Sequence, residues 1–412
     1  MITANAEQKN RRNQTWFLVL LLFFLSVLVR VPNLDRPVSK HYEFTTAVIL
    51  INIISWRQAG GGDRFHYTPI MNFQHTGDKF PANNLNVDKQ GNTVYLSLGP
   101  GWYIIPYFFY QWLDLPAVPV YLRILNLLFH LLSVILFFCL LEQLVPREES
   151  NRYFIILCGC IFMIFSPGIL WFLGNGYINV GVMIPFVISV FLLILPMLKD
   201  PGSISVYRLV LLFVLIVALI FIDWYILILG FLLCIATFLK CSQNKKYTSL
   251  LLVIIFSVCS GITLVFFQFA SHAGKQAVVE YWFNRYSYRG LNLAGSSFAN
   301  RLFYFFAYFF TSYLPLILVL LITYIRNWKS KFLPQWSYME IYFIRLFFIS
   351  LLLYNILLFE WSSEHEFSVL PWCLLLSYTT ARVLGSSKNI KVSKNFLLLF
   401  FVTAIVQYYW IN

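Results

Sequence analysis

The chain has 412 residues, of which 59% are hydrophobic, 19% aromatic and only 11% charged. A soluble globular domain carries about 25% charged residues, and the mean hydropathy here is +0.72. That balance excludes a soluble enzyme, a disordered protein and a single-anchor protein. The apolar runs are continuous rather than alternating, which excludes an outer-membrane barrel as well.

The reading is an all-α polytopic membrane protein. A net charge of +13 invites a nucleic-acid partner. The basic residues instead fall in short clusters between apolar runs, which is how membrane topology is written. No nucleic-acid partner is therefore expected. The seven cysteines lie mostly in or beside apolar runs, so neither a disulfide framework nor a zinc pattern is implied.

The first apolar run, 16–29, follows Lys9, Arg11 and Arg12. It predicts an uncleaved span with a cytoplasmic N-terminus. A long mixed segment, 30–117, comes next and is read as the first extracytoplasmic loop. Within it, 44–56 and 102–113 are apolar but short, which favours helices lying along the membrane surface. Between them, Asp88-Lys-Gln-Gly91-Asn separates two β-prone stretches and predicts a small hairpin. Further apolar segments follow at 118–144, 153–172, 178–197, 207–222, 224–239, 248–270, 302–325, 341–358, 369–386 and 394–411, with a second sizeable outer loop at 271–301.

Alternating these segments across a bilayer collects the cations on one side. Arg147, Arg152, Lys199, Lys240, Lys245, Lys246, Arg326, Lys329, Lys331, Lys388, Lys391 and Lys394 become cytoplasmic. The short outer linkers keep almost none. The pattern gives about eleven spans in a single module, 1–412, with an external C-terminus.

Most acids and imidazoles then fall on the opposite side. Asp35, His41 and Glu43 stand directly after the first span. They can serve acid–base chemistry, or Glu43 can merely complement a helix dipole. Gly99-Pro100-Gly101 opens the second surface helix, where proline suits a first turn and glycine permits close backbone approach. Asp223 sits in a tight hairpin beside hydrocarbon, a functional candidate by position. Lys275, Arg285 and Arg289 are interleaved with tyrosines and suit a phosphate or sugar, or interfacial anchoring. Glu364 and His365 crowd a late outer turn. No metal site is indicated, although a divalent cofactor remains open.

The order of these elements resembles the GT-C superfamily of membrane glycosyltransferases, which includes protein O-mannosyltransferases and bacterial lipid A aminoarabinose transferases. The resemblance rests on Asp35 through Glu43-Phe-Thr-Thr-Ala47, on Ser97-Leu-Gly-Pro100-Gly101-Trp-Tyr, on Tyr121-Leu-Arg123 and on Glu364-His365-Glu366. It departs from the family in lacking an adjacent Asp-Glu pair, which leaves the base between Glu43, taken first, and Asp35, taken second, with His41 as a neighbour that orients or tunes it.

The resemblance implies sugar transfer from a polyprenyl-phosphate donor to a glycan, lipid or protein acceptor. The transfer would occur at the external face, in a bacterial inner membrane. Lys275, Arg285, Arg289, Asp223, Glu364, His365 and Pro100 would line the substrate. A transporter or flippase of a lipid-linked saccharide is the principal alternative, and a surface-polysaccharide polymerase or ligase is another.

Overall fold

The computed structural model describes residues 2–38, 43–71, 86–290, 297–329, 334–386 and 390–411. Helix α1 runs Ile2–Leu34, and α2, Phe44–Gln58, lies in the first loop. Strands β1, Asn86–Val87, and β2, Thr93–Val94, pair antiparallel around the Asp88–Gly91 turn. Helices α3 (Gly101–Trp112), α4 (Pro119–Leu144), α5 (Arg152–Phe165), α6 (Pro167–Asn175) and α7 (Asn179–Lys199) follow. Then come α8 (Val206–Ile220), α9 (Tyr225–Cys241), α10 (Lys245–Ala273), α11 (Lys275–Arg289) and α12 (Phe298–Lys329). The chain ends with α13 (Tyr338–Leu357), α14 (Phe359–Glu364), α15 (Trp372–Gly385) and α16 (Ile390–Ile411).

Every apolar segment expected to span is helical, because hydrocarbon leaves the backbone no partner but itself. Six helices among the described residues are long and apolar enough to cross a membrane, and α5 with α6 forms a seventh candidate bent by 55°. The bend falls at Ser166-Pro167, where Pro167 opens α6 from a position that needs no N–H. Helices α8 and α9 are shorter, at 15 and 17 residues. The segment 271–301, expected as a loop, contains the helix α11.

Helix starts carry local signals. Ser337 and Glu340 form a reciprocal capping box at α13, and Asn244 accepts from the Lys246 N–H at α10. Helices α5 and α7 lie inside the bundle, packed on α15 and α4 respectively. Large apolar side chains such as Phe17, Phe24 and Leu28 on α1, and Phe303 and Phe306 on α12, are exposed. Water would not tolerate such a belt, whereas lipid does. The chain is an integral membrane protein.

The bundle has two poles. At one, Arg12 pairs with Glu142 at 2.6 Å, and Arg382 bridges Glu149 at 2.8 Å and Glu340 at 2.7 Å. Lys240 lies 5.3–5.6 Å from the rings of Tyr247, Tyr338 and Tyr342. Arg147, Lys199 and Arg208 line a cleft of about 730 Å³ here. Of the cations expected to share a side, Arg147, Arg152, Lys199 and Lys240 lie at this pole; Lys331 and Lys388, and the side chains of Lys329 and Lys391, lie outside the described residues. The other pole gathers the end of α1, α2, the hairpin, α3, the α8–α9 turn, α11 and α14.

Candidate active site

Three segments meet around Glu43. It precedes the first turn of α2, but its side chain caps no helix N–H. Instead Glu43 is 1% exposed and accepts from two guanidiniums. Arg36 donates to both oxygens, at 2.6 and 2.8 Å, and Arg123 donates at 3.3 Å. Arg123, fully buried at the start of α4, also donates to the carbonyls of Leu34, Arg36 and Asn175 at 2.8, 2.6 and 3.3 Å. Arg36 reaches Asn33 at 3.0 Å, and its guanidinium lies 5.6 Å from the Trp171 ring.

The cluster ties the ends of α1, α2, α4 and α6 together. The helix-dipole reading of Glu43 is thereby replaced by ion pairing. Asp35, just past the end of α1, is exposed. His41 lies outside the described residues.

Asp223 lies in the α8–α9 turn, 1% exposed. It accepts from the Asn179 amide, from the Tyr225 N–H at 2.8 Å and from the Tyr354 hydroxyl at 3.2 Å. The Gly99-Pro100-Gly101 motif explains how this turn is held. The Gly101 N–H donates to the Phe221 carbonyl at 2.6 Å. A Cβ on Gly99 would stand 2.4 Å from the carbonyl oxygens of both Ile220 and Phe221. Pro100 is buried and precedes α3, so its visible part is structural. Trp224 and Trp282 donate to the carbonyls of Ser97 and Leu96 at 2.7 and 2.9 Å, pinning the segment after β2 to the α8–α9 turn and to α11.

The Gly99→Ala variant is expected to lose about 1–3 kcal/mol, the usual cost of overpacking against an unyielding partner. Thermal unfolding in detergent would read it. An unchanged midpoint would mean that the contact is not held in solution.

The hairpin is anchored separately. Asp88 accepts from Gln90 and Asn92 N–H groups at 2.9 and 2.8 Å, and it contacts the His272 ring nitrogen at 2.9 Å. Helices α2 and α3 are joined by Arg57, which donates to the carbonyls of Leu115 and Tyr110 at 2.8 and 2.9 Å. Burial pushes the Tyr110 phenol above its ordinary range, so it stays a neutral donor, to the Val118 carbonyl at 2.7 Å.

The late turn divides. Glu364 is exposed, and His365 stacks on Trp361 with 5.5 Å between ring centroids. Glu360 and Glu366 are the buried carboxylates there; Arg301 donates to Glu360 at 2.8 Å and Thr311 to Glu366 at 3.0 Å. On α11, Lys275 is exposed, and Arg285 lies over the Tyr281 ring at 5.3 Å. The Arg289 side chain lies outside the described residues.

Sequence reading missed Arg301 and Asn179 as partners. Both lie in the first turns of helices at this pole, which was the available signal. Arg123 was singled out, but not that it converges with Arg36 on Glu43. Among the described residues no three His, Cys, Asp or Glu side chains group as metal ligands.

No protein-family model matches the chain, and no curated protein matches it in sequence. Among solved structures, ArnT from Cupriavidus metallidurans, crystallised bound to undecaprenyl phosphate, is similar with a TM-score of 0.60 at 12% identity, over 93% of this chain. The chain shares the fold of that membrane protein. It spans 62% of the ArnT chain. The all-α polytopic architecture is the one expected from the sequence.

Proposed function

We propose that the chain is a GT-C glycosyltransferase that takes a sugar from a polyprenyl-phosphate donor and passes it to an acceptor at the external membrane face. The observation that carries this reading is the juxtaposition of an exposed carboxylate, Asp35, with the Arg36–Glu43–Arg123 cluster at the pole opposite the cation-rich one. Such a donor needs hydrocarbon for its lipid and an aqueous face for its sugar. Its leaving group is a phosphate, which guanidiniums neutralise without a nucleotide-binding domain. The likeness to ArnT, a protein crystallised with undecaprenyl phosphate, supports the same substrate class.

Asp35 takes the part of general base in this reading. Glu43 has its oxygens engaged by two guanidiniums and is nearly inaccessible, so it cannot easily reach an acceptor hydroxyl. It positions the arginines instead. Lys275 and Arg285 extend the cationic surface on α11, and Asp223, Glu364 and His365 are candidates for holding sugar or acceptor hydroxyls.

A transporter of a lipid-linked saccharide is favoured by one observation, the buried Arg30–His130 pair inside the bundle. Reconstitution with a radiolabelled polyprenyl-phosphate sugar separates the two. Transfer of label to an acceptor supports the enzyme. Equilibration of donor between leaflets without transfer supports the carrier. Orientation is read in the same vesicles: a cysteine replacing Lys275 should react with an impermeant thiol reagent added outside right-side-out vesicles, and one replacing Lys199 should not. The reverse pattern would overturn the external site.

A further inference from the structure

We propose that Arg30 and His130 form a buried anion subsite, distinct from the Glu43 cluster, that takes a phosphoryl-type oxyanion within the helix bundle. Both residues are fully buried. The Arg30 Nη1 donates to His130 Nδ1 at 3.0 Å. Because Nδ1 accepts, the neutral imidazole carries its proton on Nε2.

What remains is a set of donors. Arg30 Nε and Nη2 and His130 Nε2 have no hydrogen-bond partner among the described residues, and the Trp171 Nε1 on α6 has none either. Among the described residues no carboxylate pairs with Arg30. The carboxylates of the neighbouring segments are Glu43, engaged by Arg36 and Arg123, and the exposed Asp35. A buried cation without a counter-ion is strongly unfavourable. An oxyanion would match both its charge and its surplus of N–H groups.

The surroundings are arranged for it. On α4, Arg123, Asn126 and His130 recur at i, i+3 and i+7, one face of the helix. That face meets α6, where the missing Cβ of Gly174 lets Arg30 lie close: a Cβ there would stand 2.7 Å from Arg30 Cδ. The next residue, Asn175, is buried with both side-chain polar atoms unpartnered among the described residues. Cationic groups thus run inward from Arg36 and Arg123 to Arg30. This subsite is independent of sugar transfer, since binding alone defines it. The anion could be free phosphate or the headgroup phosphate of a lipid.

The full chain in nanodiscs of neutral lipid, titrated with inorganic phosphate and separately doped with a polyprenyl phosphate, tests this. At least one probe should bind saturably and raise the thermal midpoint. Whichever probe does so identifies the source. Arg30→Met should abolish that rise, and in the absence of any anion it should unfold no earlier than the wild type, because an uncompensated charge has been removed. His130→Phe should weaken binding by about 10- to 100-fold. If Arg30→Met does not accumulate, Arg30→Lys is read in its place, with binding again weakened about tenfold. Absence of binding by either probe overturns the proposal, as does wild-type affinity in the Arg30 variant and His130→Phe together. An Arg30→Met variant that unfolds early while binding normally assigns the pair to structure alone.

Discussion

Asp35→Asn is expected to lower transfer by about 10²–10⁴-fold, the usual effect of removing a general base, with folding unchanged. The carboxylate is exposed at the end of α1, and surface substitutions of this kind rarely move stability by more than about 0.5 kcal/mol. An acid just past a helix C-terminus is electrostatically misplaced for stability, so its position argues for another role. Asparagine keeps the shape and one hydrogen-bond acceptor but removes the basicity. Glu43→Gln should behave differently. It leaves two guanidiniums without their shared anion, so thermal stability and donor affinity should fall along with turnover. Transfer at saturating donor, measured beside the thermal midpoint, separates these outcomes. If Asp35→Asn turns over normally while Glu43→Gln folds normally and is inactive, the base is Glu43.

The parts of this site that were readable in the sequence are those fixed by neighbouring residues. The Asp88–Gly91 turn was legible because its chemistry is local: Asp88 binds its own turn N–H groups. Helices α2 and α3 were legible from short apolar runs, and the Gly99-Pro100-Gly101 approach from residue types alone.

The pairings were not legible. Glu43 meets Arg123 across 80 positions, and nothing in the intervening sequence encodes that distance. Local reasoning placed Glu43 on the α2 dipole, a contribution of roughly 0.3–1 kcal/mol. A second and third helix end supplied stronger partners, and tertiary contact overrode the local preference. The partner of the backbone approach beside Pro100 was hidden for the same reason: it is Phe221, some 120 positions away. Helix α11 was hidden because its aromatic and charged residues read equally well as an interfacial loop.

Arg123→Met is expected to be the most damaging single change at this pole. Its guanidinium is fully buried and holds four groups from three segments: the carbonyls of Leu34 and Arg36, the carbonyl of Asn175, and the Glu43 carboxylate. The first two close the end of α1, the third fixes the end of α6, and the last sets the entry to α2. Methionine preserves much of the stem's packing but satisfies none of these acceptors. Breaking a buried ion pair by removing one partner costs about 3–5 kcal/mol. Lysine would retain the charge, yet a single ammonium cannot span carbonyls arranged around a planar fork, so Arg123→Lys should recover only part of the loss. The expected order of thermal midpoints is wild type, then Lys, then Met, with transfer falling in the same order because Asp35 follows directly on Leu34. A Met variant as stable as the wild type would show that Arg36 alone holds Glu43. An equally stable variant lacking transfer would instead move Arg123 from organising the pole to contacting the donor.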